Sequence, residues 1–318
     1  MTLEFTASEV FANDQPTRSG RPDGLNTRGD VTIRAMILKS TGPVSEGSTP
    51  LVLSDWPDPT PAAGEILIRV SVCGVCHTEL DEIEGRMPPP SLPVIPGHQV
   101  VGRVEALGEG ADSFRVGNRV GVAWIHSARG TCGFCRRGEE NLCDAFRATG
   151  RDANGGHAEL MTVPEAFAHA IPDPLADAEA APLLCAGAIG YRSLRLAGVE
   201  DGQALGLTGF GASAHLVLKL VRHRFPGTQV FVFARSVEER AFARELGATW
   251  AGEIGERAPR LLNAIIDTTP AWTPVVKALE NLEKGGRLVI NAIRKEDTDK
   301  VALLGLDYPK HLWLEKEV

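Results

Sequence analysis

No run of apolar residues in this 318-residue sequence approaches 18, so nothing in it reads as a membrane-spanning helix. The N-terminus also lacks the charged-then-apolar arrangement of a secretory signal, and the expected location is cytoplasmic. Positive charge is in short supply: 33 Lys and Arg stand against 41 Asp and Glu, a formal charge of −8. Phosphate backbones call for clustered cations, which sets nucleic acid aside as a partner and weighs against a DNA-binding zinc module. Cysteine is sparse. All six lie in or beside segments with metal-ligand character, and in a reducing compartment that favours metal over disulfides.

What is present is ordinary for a soluble globular protein: 43% apolar and 23% charged residues. The length fits about two domains. Residues 1–30 are rich in Gly, Pro, Asn, Asp, Arg and Thr without a sustained apolar period, and they are expected to be a disordered extension. From Val31 the pattern becomes one of short strands between Gly and Pro breaks. Strand character marks 65–72, 100–107 and 119–124, which suits a barrel-like β domain. After Pro172-Asp-Pro174 the rhythm changes. Strands at 203–208, 229–234, 261–267 and 287–292 alternate with helices at 212–223 and 237–246, the signature of a doubly wound parallel sheet. The expected domains are 31–178 and 179–318.

Three dispersed motifs carry the chemistry. Cys76 sits in Cys-His-Thr-Glu-Leu, His98 in Gly-His-Gln-Val-Val-Gly, and Cys185 in Leu-Leu-Cys-Ala-Gly. Thiolate, imidazole and thiolate are donors that zinc accepts, and three protein ligands leave a fourth position for water or substrate oxygen. Any one of these residues alone would read as a buried apolar cysteine or a core histidine. The set resembles the zinc-containing medium-chain dehydrogenases, the alcohol dehydrogenase family, from about Val31 to Val318. Gly-Gly-His-Ala-Glu at 155–159 and a glycine run near 209 belong to the same resemblance. It implies an N-terminal GroES-like β-barrel catalytic domain, a Rossmann domain, and an active site in the cleft between them. The implied reaction moves a hydride between a nicotinamide cofactor and an alcohol or carbonyl substrate.

Gly209-Phe-Gly211-Ala-Ser-Ala214 fits Gly-x-Gly-x-x-Ala between an expected strand and helix. The first glycine permits the turn, the second admits the pyrophosphate, and the small third residue lets helix pack on strand. At the end of the next strand, where an acidic residue would hold a ribose 2′-hydroxyl, stands Ala234, followed by Arg235 and Ser236. A guanidinium beside a hydroxyl suits a 2′-phosphate, so NADP is expected over NAD. The plainer alternative is that Arg235 is a solvated residue at a strand end.

The resemblance gives further roles near the metal. Thr78 would relay the substrate proton, His77 would contact the cofactor pyrophosphate, and Glu79 would hydrogen-bond the ligand histidine in place of the usual aspartate. Asp81 falls where many relatives have a histidine ending the proton relay and could accept a proton there, but alone it reads as an ordinary surface carboxylate. Gln99 replaces the glutamate common beside this zinc and removes its charge. Trp124 and Ile125 fall among pocket-lining positions. Cys132, Cys135 and Cys143 match three members of a four-cysteine structural zinc lobe whose first position is Arg129; either three thiolates hold zinc with a water or a carboxylate such as Glu139 or Glu140, or the lobe is metal-free with Arg129 supplying positive charge near the thiols. Relatives continue beyond the segment resembling 308–318 and return to the catalytic domain, a return this sequence lacks. Two other functions compete: a catalytically inactive zinc and nucleotide binder, and a thiol redox protein using Cys73 and Cys76. The expected partners are a small-molecule alcohol or aldehyde and further copies of the chain in a homo-oligomer.

Overall fold

The computed structural model describes residues 32–318; the extension expected at 1–30 lies outside the described residues. The chain forms two units that part after Cys185.

The first unit is antiparallel β structure. Strands β1 (Thr32–Leu38) and β2 (Leu51–Pro57) pair as a two-stranded sheet. A five-stranded sheet follows the order β8-β3-β4-β5-β9, with β3 at Glu65–Gly74, β4 at Gln99–Leu107, β5 at Arg119–Val122, β8 at Leu160–Pro164 and β9 at Ala168–Ala170. A small pair, β6 (Ile125–Ser127) and β7 (Arg147–Ala148), completes it. Period-two alternation along β3 explains the layering. Ile66, Ile68 and Val70 enter one core with Val100, Val104, Val120 and Met161. Leu67 faces the other way, onto Ile33, Ala35 and Ile37 of β1. Burial of β-branched side chains on both faces, at about 25 cal/mol per Å² of apolar surface, holds the sheet together.

The second unit is a parallel sheet with helices on both faces. Its strands are β10 (Ala204–Thr208), β11 (Gln229–Phe233), β12 (Trp250–Gly252), β13 (Leu262–Asp267) and β14 (Leu282–Ile290), in the order β12-β11-β10-β13-β14. Counting the short helix α1 (His77–Ile83) of the first unit, the longer helices are α2 (Ala186–Ala197), α3 (Ala212–Arg224), α4 (Val237–Glu245) and α5 (Thr273–Asn281). On one face Leu194, Ala214, Val217, Leu218 and Ala243 from α2, α3 and α4 pack on Leu205, Leu207, Val230 and Val232. On the other, Val275, Ala278 and Leu279 of α5 pack on Phe231, Phe233 and Ile265. This is the doubly wound arrangement expected from the strand–helix rhythm. Two details differ from expectation: β5 ends at Val122, and the last strand begins at Leu282, directly after α5.

Candidate active site

Strand register brings the first two metal-ligand candidates together. β3 and β4 run antiparallel with Cys73 opposite Val100 and Gly74 opposite Gln99. The chain therefore leaves β3 into Cys76 beside the place where it enters β4 from His98. The third arrives from a distance: the helical turn Ala181–Leu184 ends at Cys185, and Ala181 and Leu184 pack with Val72 and Val101 on those same two strands.

The result is a tight cluster. Cys76 Sγ lies 3.5 Å from His98 Nε2 and 3.9 Å from Cys185 Sγ, and His98 Nε2 lies 3.3 Å from Cys185 Sγ. A tetrahedral zinc with bonds of about 2.3 Å to sulfur and about 2.0–2.1 Å to nitrogen requires edges of about 3.8 and 3.6 Å. The donor set therefore fits that metal in chemistry and in spacing.

The surrounding groups hold it in place. Cys76 caps α1: its Sγ accepts the Thr78 N–H, and Glu79 Oε2 accepts the Cys76 N–H at 2.8 Å. The other Glu79 oxygen lies 2.6 Å from His98 Nδ1. The Glu79 side chain thus reaches the histidine and keeps Nδ1 turned toward the carboxylate, leaving Nε2 to face the sulfurs. Burial alone would raise the Glu79 carboxyl, but His98 and the Cys76 N–H draw it down to about 2. Burial alone would lower His98, yet Glu79 and the Cys76 sulfur hold it well above its ordinary value. The contact with the Cys185 thiol, followed by burial, raises the Cys76 thiol.

Glycine allows the strands to close on this centre. Gly97 has φ +101°, and a Cβ there would stand 2.7 Å from both Cys73 Sγ and His157 Cδ2. Gly155 lies against the Gly97 carbonyl, where a Cβ would approach to 2.1 Å. Thr78 and Gln99 are buried beside the cluster, and the Gln99 side-chain nitrogen has no hydrogen-bond partner among the described residues. His77 projects outward, two-thirds exposed.

Asp81 corrects the expectation of a surface carboxylate. It is 1% exposed and receives Arg86 Nε at 2.5 Å, because α1 turns Thr78, Glu79, Asp81 and Glu82 inward together. Glu82 escaped sequence reading altogether. Both its oxygens are buried without a hydrogen-bond partner among the described residues, and burial, reinforced by Glu79, pushes its carboxyl up to about 8. Nothing in the residue order pointed to it: only the folded helix shows that Glu79, Asp81 and Glu82 share its buried side with Thr78 and Ile83.

Cys132, Cys135 and Cys143 also gather, their sulfurs within 4.8 Å of one another. The main-chain N–H of Arg129 donates to Cys143 Sγ at 3.5 Å, which places the non-ligating residue beside the sulfurs. No carboxylate joins this group among the described residues, and Glu139 instead pairs with Arg137. Cys73 stands apart from both clusters. Burial pushes its thiol up, the reverse of what a redox cysteine needs.

In the second unit, Gly209 has φ +78° and fits under Thr268 and Thr269, whose atoms a Cβ would meet at 2.8 and 3.0 Å. Gly211 opens onto free space and begins α3, and Ala214 is fully buried against the sheet. Each position thus meets the steric demand of a dinucleotide turn. Ala234 is buried, Arg235 is exposed, and the Ser236 hydroxyl accepts the Glu239 N–H at the start of α4. Arg240 donates to the carbonyls of Ala234 and Arg235 at 2.9 and 2.8 Å, fixing the backbone of this corner.

A two-thiolate, one-imidazole centre in a GroES-like unit, with a doubly wound parallel sheet after it, defines the zinc-type medium-chain dehydrogenase/reductase class. The chain belongs to the alcohol dehydrogenase family. The alcohol dehydrogenase GroES-like domain matches residues 62–173. A "Probable alcohol dehydrogenase AdhA" of Mycobacterium tuberculosis (strain CDC 1551 / Oshkosh) is 41% identical, over 91% of this chain and 82% of that protein. An alcohol dehydrogenase of Geobacillus stearothermophilus is 33% identical over 80% of this chain and 77% of its own. Among solved structures, cinnamyl alcohol dehydrogenase of Sorghum bicolor superposes with a TM-score of 0.74 at 26% identity, over 91% of this chain and 82% of that one. The NADP(H) complex of a Helicobacter pylori protein designated CAD reaches a TM-score of 0.77 at 22% identity, covering 91% and 83%, a likeness of fold. The protein is accordingly an oxidoreductase of the NAD(P)-dependent alcohol dehydrogenase type. Among the described residues, no helix is long and apolar enough to cross a membrane.

Proposed function

We propose that the protein interconverts a primary or secondary alcohol with its aldehyde or ketone, using zinc held by Cys76, His98 and Cys185 and preferring NADP to NAD. The observation that carries this reading is the triangle of donor atoms at tetrahedral zinc spacing, with Thr78 in the helical turn that Cys76 caps. Bound there, zinc supplies a Lewis acid for the substrate oxygen, while the nicotinamide supplies or accepts the hydride. The protein's own residues do the rest. Glu79 orients the His98 ring, and the Thr78 hydroxyl takes the proton from the alcohol or returns it to the carbonyl oxygen. Gly209, Gly211 and the N-terminus of α3 offer main-chain N–H groups to the pyrophosphate. Trp124, packed against Phe146 with the rings tilted by 50° and their centroids 4.9 Å apart, and Ile125 make the substrate pocket apolar. Six unpaired thiols suit a reducing, cytoplasmic setting, and a homo-oligomer is part of the same reading. Cys132, Cys135 and Cys143 would hold a second zinc, with water as fourth ligand.

Metal analysis combined with a panel of alcohols and aldehydes assayed with both cofactors tests the reaction. Metal-free protein with full turnover would overturn it. The cofactor preference rests on the exposed Arg235 guanidinium beside an uncharged Ala234. A charge-assisted hydrogen bond of about 1.5–3 kcal/mol favours NADP by roughly 10- to 100-fold. Arg235→Ala should erase most of that margin in titrations with the two cofactors, and Ala234→Asp should reverse it. Equal binding of both by the parent chain would defeat the preference.

A further inference from the structure

At the carboxyl edge of the parallel sheet lies a buried ion pair that belongs to no recognised motif. Asp267, the last residue of β13, is fully buried. Its Oδ1 accepts the Thr208 hydroxyl at 2.6 Å, the Thr269 hydroxyl at 2.8 Å and the Thr269 N–H at 3.3 Å, and its Oδ2 receives Lys295 Nζ. The Lys295 side chain is 9% exposed, and its ammonium also donates to the carbonyls of Thr269 and Ala271 at 2.8 and 3.0 Å. Three N–H bonds thus find three acceptors, and the carboxylate has none of its capacity wasted.

The position is particular. β10 lies at the centre of the sheet, with β11 on one side and β13 on the other. The strand order therefore reverses between β10 and β13, where open α/β sheets bind ligands beyond the strand ends. Asp267 is paired in register with Thr208 at this seam, and Thr208 leads directly into Gly209. The Thr268 N–H and hydroxyl both donate to the Thr208 carbonyl, at 3.0 and 2.9 Å. Thr268 and Thr269 form the surface on which Gly209 rests. Replacing a buried ion pair by apolar residues of similar volume is often neutral or stabilising, so stability alone is a weak reason for this one.

We infer that Lys295 and Asp267 are positioning residues that clamp the Thr208–Gly211 turn in the shape that receives the cofactor pyrophosphate. The inference rests on the dehydrogenase reading above. The test uses two variants of the full chain, Thr208→Val and the paired Lys295→Met with Asp267→Asn, titrated with NADPH by fluorescence and assayed at saturating cofactor. Each should raise the NADPH dissociation constant and the cofactor KM by about tenfold, with kcat and bound zinc little changed. Thr208→Val removes one hydroxyl and keeps the side-chain shape, so it decides the matter if the paired variant fails to fold. Variants that fold and bind NADPH as tightly as the parent would overturn the clamp alone. A parent chain that binds neither nicotinamide cofactor would overturn the dehydrogenase reading and the clamp with it.

Discussion

The two sulfur clusters of the first unit gather three ligand atoms within the same 4.8 Å, yet they are built in opposite ways. Cys76, His98 and Cys185 are separated by 22 and 87 residues, and two strands and a packed turn must form before they meet. Cys132, Cys135 and Cys143 sit in one loop whose own amides point at the sulfurs: Cys135 N–H donates to Cys132 Sγ at 3.5 Å. Inside the loop the Cys135 N–H is the main cause that draws the Cys132 thiol down to about 7, while burial and the Cys132 contact raise the Cys135 thiol. Around the dispersed cluster, contact with Cys185 and burial drive the Cys76 thiol upward. The contrast lies in assembly: one cluster needs the sheet, and the other needs only its own loop.

The largest effect that could break this contrast comes from removing ligands. Cys76→Ala, His98→Ala and Cys185→Ala should each abolish turnover and lower bound zinc, while Cys132→Ser should leave turnover within about threefold of the parent and affect stability instead. Metal analysis beside alcohol oxidation rates settles it; full activity in any of the first three would erase the distinction. Next comes Thr78→Val, which keeps the shape and should keep the zinc but lower turnover by about 10²–10⁴-fold, the usual worth of a positioned proton donor. An unchanged rate would move the proton path to another residue. A gentler change completes the loop cluster. Arg129→Cys supplies a fourth thiolate beside Cys143 in place of water and should let the loop keep one zinc per chain through a chelator challenge that strips it from the parent, and raise the thermal midpoint by about 4 °C or more. An unaltered metal count after that challenge would show that residue 129 cannot turn toward the sulfurs.

The smallest predicted effect concerns Glu82. Burial first and Glu79 second push its carboxyl from an ordinary 4.5 to about 8. Between those values the folded chain holds a proton that the unfolded chain has released, so stability falls as pH rises across that window. Glu82→Gln removes the cost and should raise the thermal midpoint at pH 8 by a few degrees while changing it little at pH 4. Parallel midpoint-against-pH curves for parent and variant would show that the carboxyl titrates normally.

Much of this was legible in the residue order because the important positions sit at strand ends. Cys76, His98 and Gly209 each lie within two residues of a strand end, and a strand end is where periodicity stops and chemistry begins. Asp81 was misread because a single charged residue has no period of its own; only the helix reveals that it faces inward with Glu79 and Glu82. The last strand was placed late, since Glu283-Lys-Gly-Gly286 does bulge out, with Gly285 at φ +67°, and only the pairing of Leu282 with Leu262 before the bulge extends the strand earlier than Arg287. Asp267 and Lys295 lie 28 residues apart without any motif between them. Their meeting is a property of sheet order, visible only once β13 and β14 are paired.

The glycines around His98 set a limit on how this protein can change. Backbone meets backbone at Gly97 and Gly155, and Gly156 leaves a Cβ only 2.3 Å from Val100 Cγ2. No side chain can be introduced at these three positions without displacing the strand that delivers the histidine. A search for variants with altered substrate preference should therefore find them silent, tolerating nothing, while Trp124 and Ile125 accept wide replacement. The map of permissible variation would show a blank at the glycines packed behind His98.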